Sequence, residues 1–254
     1  MTEIDIRPFD YQRDLSAVNR IWREVGWVDK ESELYVDDIF GVGTTLVGTL
    51  DDVAECSVHI AAGSLRLQHT DLPLCAVTAV TTSRIARGHA FARRLTAQQL
   101  RAGAENGAVV AALGMFDQGF YDQLGFGSGA YDHALTFDPG TLKVEARVPT
   151  PQRLTLEDYP RMHAAMLNRN KVNGSVCLHE ARLMRAEFGW VEDGFGLGYG
   201  EGDELSHFVY LAPKGERGPY KVTHLIYQNP QQLRELLGLL KSLEDQVYAV
   251  EMIE

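Results

Sequence analysis

The chain has 254 residues, 45% of them hydrophobic and 23% charged, which is enough for one large domain or two of ordinary size and excludes a disordered or fibrous protein. A formal net charge of -11 excludes nonspecific nucleic-acid binding, which needs clustered Lys and Arg, and favours a cationic partner. No apolar run reaches the ~20 residues of a spanning helix, MTEIDIRPFD lacks a signal-peptide pattern, and Cys56, Cys75 and Cys177 stand at no metal-ligand spacing; a reduced cytoplasmic protein without membrane or metal is expected.

Ile4 to Arg7 reads as a short strand, and Asp14 as the N-cap of a helix carrying Leu15, Val18, Ile21, Trp22 and Val25 at helical spacing, stopped by Gly26. Trp27 to Phe40 is rich in Asp and Glu with a single Lys. It is either a solvated helix face or, with Trp27, an entrance for an amine. From Thr44 the runs TTLVGTL, VAECSVHIAAGSLRL and LPLCAVTAV are bounded by turn residues and predict an antiparallel meander.

The meander delivers the chain to TTSRIARGHA and a helix from about Ala90 to Glu105, with Phe91, Leu95 and Leu100 on its apolar face and Asn106-Gly107 at its end. AVVAALGM, Ala108 to Met115, then predicts a buried parallel strand, followed by the compact segment FYDQLGFG. This order gives a mixed α/β sheet and not a doubly wound one. A strand ending in a basic, glycine-containing turn at a helix start makes an anion site, because the first helical amides have no intrahelical acceptor. The amides of Gly88, His89, Ala90, Phe91 and Ala92 can converge on a diphosphate, with Arg87 adding a charge-assisted bond.

The second half repeats the order weakly. Asp138 to Val148, with its prolines, reads as a connection, and the boundary is set between a first domain of residues 1–143 and a second of 144–254. ARVPTPQRLT is strand-like, LEDYPRMHAAMLNRN helical, and GFGLGYGEGDELSHFVYLAP a strand pair. KVTHLIY is a strand and PQQLRELLGLLKSLEDQ a helix, capped by Asn229 with Pro230 in its first turn, before the strand VYAVEMI. Its turn, YQNPQQL, offers few converging amides, so the second unit is expected to bind no nucleotide.

Residues from Ile4 to about Asp138 resemble the GCN5-related N-acetyltransferase (GNAT) superfamily, whose signature (Q/R)-x-x-G-x-(G/A) is matched by Arg87-Gly88-His89-Ala90-Phe91-Ala92, with Ala90 where glycine is usual. The alternative register from Ile85 keeps the glycine but loses the Arg, and the spacing to Leu95 and Gly107 favours Arg87. The resemblance implies acetyl-CoA as cosubstrate and no metal. It also implies that Val80, Thr81 and Thr82 present backbone groups to the pantetheine arm and the thioester oxygen. Tyr121, in FYDQLGF, then matches the general acid that protonates the leaving thiolate, although from composition alone it reads as an aromatic packing residue. Gly114 replaces an Asn common seven residues before that tyrosine.

A competent unit followed by a degenerate one resembles the enhanced intracellular survival (Eis) acetyltransferases, without their sterol-carrier-like third domain. That likeness implies transfer of acetyl to a small cationic amine or a lysine, in a possible homo-oligomer. The alternative is a non-catalytic module that holds coenzyme A or a partner protein.

Overall fold

The computed structural model describes residues 2–115, 118–129, 131–145 and 147–253. In chain order the elements are β1 (Ile4–Pro8), α1 (Tyr11–Glu24), α2 (Val36–Phe40), β2 (Thr44–Leu50), β3 (Val53–Leu67), β4 (Thr70–Thr82), α3 (Phe91–Glu105), β5 (Val110–Ala112), α4 (Gln118–Asp122) and β6 (Ala134–Phe137). They continue as β7 (Gln152–Leu154), α5 (Tyr159–Leu167), β8 (Val176–Leu178), α6 (Ala181–Gly189), β9 (Phe195–Glu201), β10 (Glu204–Pro213), β11 (Tyr220–Ile226), α7 (Pro230–Lys241) and β12 (Val250–Ile253). Two compact units result, one of residues 1–129 and 172–186, the other of 130–171 and 187–254. Among the described residues no helix is long and apolar enough to cross a membrane.

In the first unit the sheet runs β1-β2-β3-β4-β5, with β8 paired to the far end of β3. Only β4 and β5 are parallel. Side chains alternate across β3. Cys56, Val58 and Ile60 join Val77, Phe91 and Leu95 in a core under α3. Glu55, Ser57 and His59 face the other way, where Arg20 of α1 holds Glu55 at 2.8 Å and the Phe40 ring of α2 meets His59. Phe91 is seated in a hole in the sheet: a Cβ on Gly48 would collide with its ring, and a Cβ on Gly103 would lie 2.6 Å from Cys75 Sγ. Gly48→Ala is therefore expected to cost about 2 kcal/mol, the usual size of an overpacking penalty, read as a lowered urea midpoint at unchanged slope.

In the second unit the order is β6-β12-β11-β10-β9-β7. β11 and β12 are parallel and flank α7, whose Leu236, Leu239 and Leu240 pack on Val209, Leu211 and Val222. The strand–helix–strand order around β11, α7 and β12 matches that around β4, α3 and β5. The sequence boundary after residue 143 falls inside this unit, because β6 pairs with β12.

Three local expectations are corrected. Asp10, not Asp14, caps α1 by accepting from the Arg13 amide. Asp14 is buried and held by Arg7 at 2.5 and 2.8 Å and by the Asp10 amide. β5 has three half-buried residues and, among the described residues, pairs only with β4, which makes it an edge strand, and Val109 beside it is exposed. The third concerns the carboxylates of the acidic stretch. Asp29 closes its own turn through Ser32, Glu33 takes Asn19 and Arg23, and Asp37 accepts from Tyr11. Asp38 is buried between Arg182 and Arg185, 3.0 and 2.5 Å away. These four are engaged by other residues of the fold and are not among the residues that line the groove at the start of α3.

Candidate functional site: a groove at the start of α3

β4 and β5 pair only from Leu74 to Ala76, opposite Val110 to Ala112. Beyond Ala76, β4 continues to Thr82 with β3 on one side and, among the described residues, no strand on the other. Which of its groups face that opening follows from alternation. The Ser83 amide donates to Glu55 O at 2.8 Å, so Thr81 also addresses β3 while Val80 and Thr82 point their amides and carbonyls into the gap.

The chain then turns through Arg87, Gly88 (φ 91°) and Ala90 (φ 58°) into α3. Ala90 is the N-cap and has no side-chain bond to offer. The first helical acceptor used is Ala90 O, which takes the Arg94 amide, so the amides of Phe91, Ala92 and Arg93 lack intrahelical partners. The first turn carries no acidic residue, and Arg93 and Arg94 follow at once. Cations there oppose the helix dipole and make sense beside an anion. Ala90 sits in the left-handed region that favours glycine, at a cost of about 1 kcal/mol.

These groups form the wall of an open groove of about 720 Å³, lined by Val80, Thr81, Thr82, Arg87, Gly88, Ala90, Phe91 and Ala92 among the sequence-predicted residues. His89 is absent from that wall; its ring packs toward Phe91, centroids 5.9 Å apart. Tyr121 is also absent from it, whereas its helix neighbour Phe120 is present. The Tyr121 ring is half-buried, edge-on to Phe120 at 4.9 Å and near Phe126 at 6.0 Å. Sequence reasoning missed Val25, Ala86, Arg93 and Phe120; the signal for Arg93 was a cation in the first turn of a helix. Trp27, suggested with the acidic stretch, does line the groove. Among the described wall residues none is acidic. Below the groove, burial pushes the Cys56 thiol up to about 12, with Thr82 Oγ1 3.3 Å from its sulfur.

The second unit has closed the corresponding place on itself. Asn229 Oδ1 accepts from the amides of Gln231 and Gln232 at 3.1 Å each, and Pro230 has no amide to give. Only three residues connect β11 to α7, against eight from β4 to α3. Among the described residues, no cluster of His, Cys, Asp or Glu is arranged to hold a metal.

Residues 5–129 match the family described as Acetyltransferase (GNAT) domain. No curated protein matches the sequence. Among solved structures, a probable N-acyltransferase from Enterococcus faecalis is similar over 100% of this chain and 65% of its own, at 13% identity and a TM-score of 0.81. A GCN5-related N-acetyltransferase from Kribbella flavida is similar over 100% and 64%, at 17% identity and 0.76. Eis1 from Mycobacterium abscessus is similar over 98% and 65%, at 16% identity and 0.74. The chain thus spans less than two thirds of the length of these proteins, and at such identities the likeness is one of fold. The splayed β4, the uncapped start of α3 and the family match agree: residues 5–129 form a GNAT domain, and the whole chain shares its fold with larger proteins, Eis1 of Mycobacterium abscessus among them.

Proposed function

We propose that the chain transfers an acetyl group from acetyl-CoA to a primary amine, on a small cationic molecule or a lysine side chain. The observation that carries this reading is the coincidence, in one groove, of an uncapped helix start flanked by Arg87 and Arg93 with a strand edge whose Val80 and Thr82 amides are open. The amides of Phe91, Ala92 and Arg93 and the two guanidiniums take the diphosphate. Val80 and Thr82 take the pantetheine arm and the thioester oxygen, whose charge grows as the amine attacks. The neutral amine forms the C–N bond, the C–S bond breaks, the thiolate receives a proton from Tyr121, and the amine's proton leaves to water. The second unit acts as a degenerate acetyltransferase-like unit without a nucleotide, since Asn229 and Pro230 already close the start of α7.

The test is thiol release from acetyl-CoA with polyamines, aminoglycosides and lysine peptides. Release above the acceptor-free rate supports the reading, and binding of acetyl-CoA without release to any of them leaves a holding module instead. Ala90→Asp puts a carboxylate where the diphosphate would lie. It is expected to weaken acetyl-CoA binding about 30-fold, roughly 2 kcal/mol, in calorimetry, with the melting temperature within a few degrees of wild type.

A further inference from the structure

The open amides of β4 depend on an irregularity in the strand. Ser57 pairs with Thr81 and His59 with Thr78, so Val58 on β3 faces two residues, Ala79 and Val80, on β4. This is a β-bulge, and it bends the strand that carries it. It also changes which residues face the gap. Before it Pro73 O accepts from Val109, so odd-numbered residues address the β5 side; after it Val80 and Thr82 face that side, where the gap lies. Ala79 takes a left-handed φ of 53°, at a cost of about 1 kcal/mol that contacts from its surroundings can help offset.

That help is visible. The Ser57 hydroxyl, fully buried, donates to Ala79 O at 3.2 Å and lies 2.9 Å from Thr81 Oγ1, which itself reaches Ala79 O at 3.5 Å. The carbonyl at the bulge thus accepts from two side-chain hydroxyls. Neither alternation nor core packing demands a serine at position 57, since Val or Ala would bury there as well.

We infer that Ser57 is a positioning residue: through Ala79 O and Thr81 it fixes the bulge, and so aims the Val80 and Thr82 amides into the groove. Its bearing on turnover rests on the reading that acetyl-CoA lies in that groove. Ser57 touches no substrate; it acts through the backbone of β4, and its loss affects orientation more than binding.

The experiment compares wild type, Ser57→Ala, and Ser57→Ala combined with Ala79→Gly, which removes the left-handed penalty. Native-state amide exchange at Thr81 and Ser83, whose amides address β3, is expected to quicken at least 10-fold in Ser57→Ala, with β2 amides unchanged, and to return within threefold in the double variant. With acetyl-CoA and a lysine peptide, kcat is expected to fall about 30-fold in Ser57→Ala at a KM for acetyl-CoA within threefold, and to recover in the double variant. Exchange that is unchanged, or raised equally across the sheet, overturns the inference, as does a kcat within twofold of wild type or no recovery with glycine. If wild type neither binds nor turns over acetyl-CoA, the acetyl-transfer reading falls. The hold of Ser57 on the bulge then stands or falls by the exchange data alone.

Discussion

Tyr121→Phe is expected to lower acetyl transfer by about 10²-fold or more, the usual worth of a positioned general acid, while acetyl-CoA binds within about threefold of wild type. The substitution removes one oxygen and leaves a ring of the same shape, so the edge-on packing with Phe120 and Phe126 survives. A change confined to kcat points to the departing thiolate, because removing uniform binding would raise KM instead. The discriminating measurement is the pH profile with an alternative leaving group. A thioester of a more acidic thiol needs less protonation, so it should lose far less to Tyr121→Phe than acetyl-CoA does. The groove wall contains Phe120 and not Tyr121, which makes this a strict test. A twofold effect, equal for both thioesters, would return Tyr121 to a packing residue and leave the acid to be found elsewhere.

Acid destabilisation centred on His59 is the second large effect. The imidazole is fully buried, its Nδ1 2.9 Å from Thr45 Oγ1 and its Nε2 without a partner. Burial lowers its pKa from 6.5 to about 4. The folded protein therefore keeps His59 neutral while the unfolded chain takes up a proton below about 6.5. The contribution is present in full above that pH, is lost as pH falls from about 6.5 to about 4, and does not change further below. The size is about 3 kcal/mol, from ~1.4 kcal/mol per pKa unit. Urea midpoints between pH 7.5 and 4 should decline in wild type and decline markedly less in His59→Gln, where buried His207, its pKa also lowered by burial, still contributes. Carboxylates such as Asp14 add their own loss at lower pH: burial would raise the Asp14 pKa, but the Arg7 guanidinium and the Asp10 amide outweigh it. The same steep decline in His59→Gln would place the titrating group elsewhere.

Much of the first unit was legible because its elements carry their period openly. The apolar spacing of Phe91, Leu95 and Leu100, the Asn106-Gly107 stop and the meander of β-branched runs each point to one structure. So does Asn229-Pro230 at α7. The basic turn was legible because Arg87 and Gly88 precede a helix lacking any capping side chain. What escaped has a physical reason in each case. Asp10 and Asp14 are both acceptable caps, and only the position of Arg7 on β1 decides between them. AVVAALGM looks buried because apolar runs do not reveal whether a second neighbour exists, and among the described residues β5 has only β4. The segment Val172–Gly189 lacks a clean period, so β8 and α6 were not anticipated. The bulge was invisible for a sharper reason: alanine carries no sign of positive φ, and Ala79 adopts it through Ser57, 22 positions upstream.

The seat of Phe91 against Gly48 ties the opening residue of a helix to the middle of a strand. Movement at one is therefore transmitted to the other as a rigid displacement, with no slack methyl between them. Whatever steadies the helix entrance should then slow breathing in β2, far along the chain from the signature loop, and a spectroscopic reporter on that quiet strand would register occupancy without ever meeting the occupant.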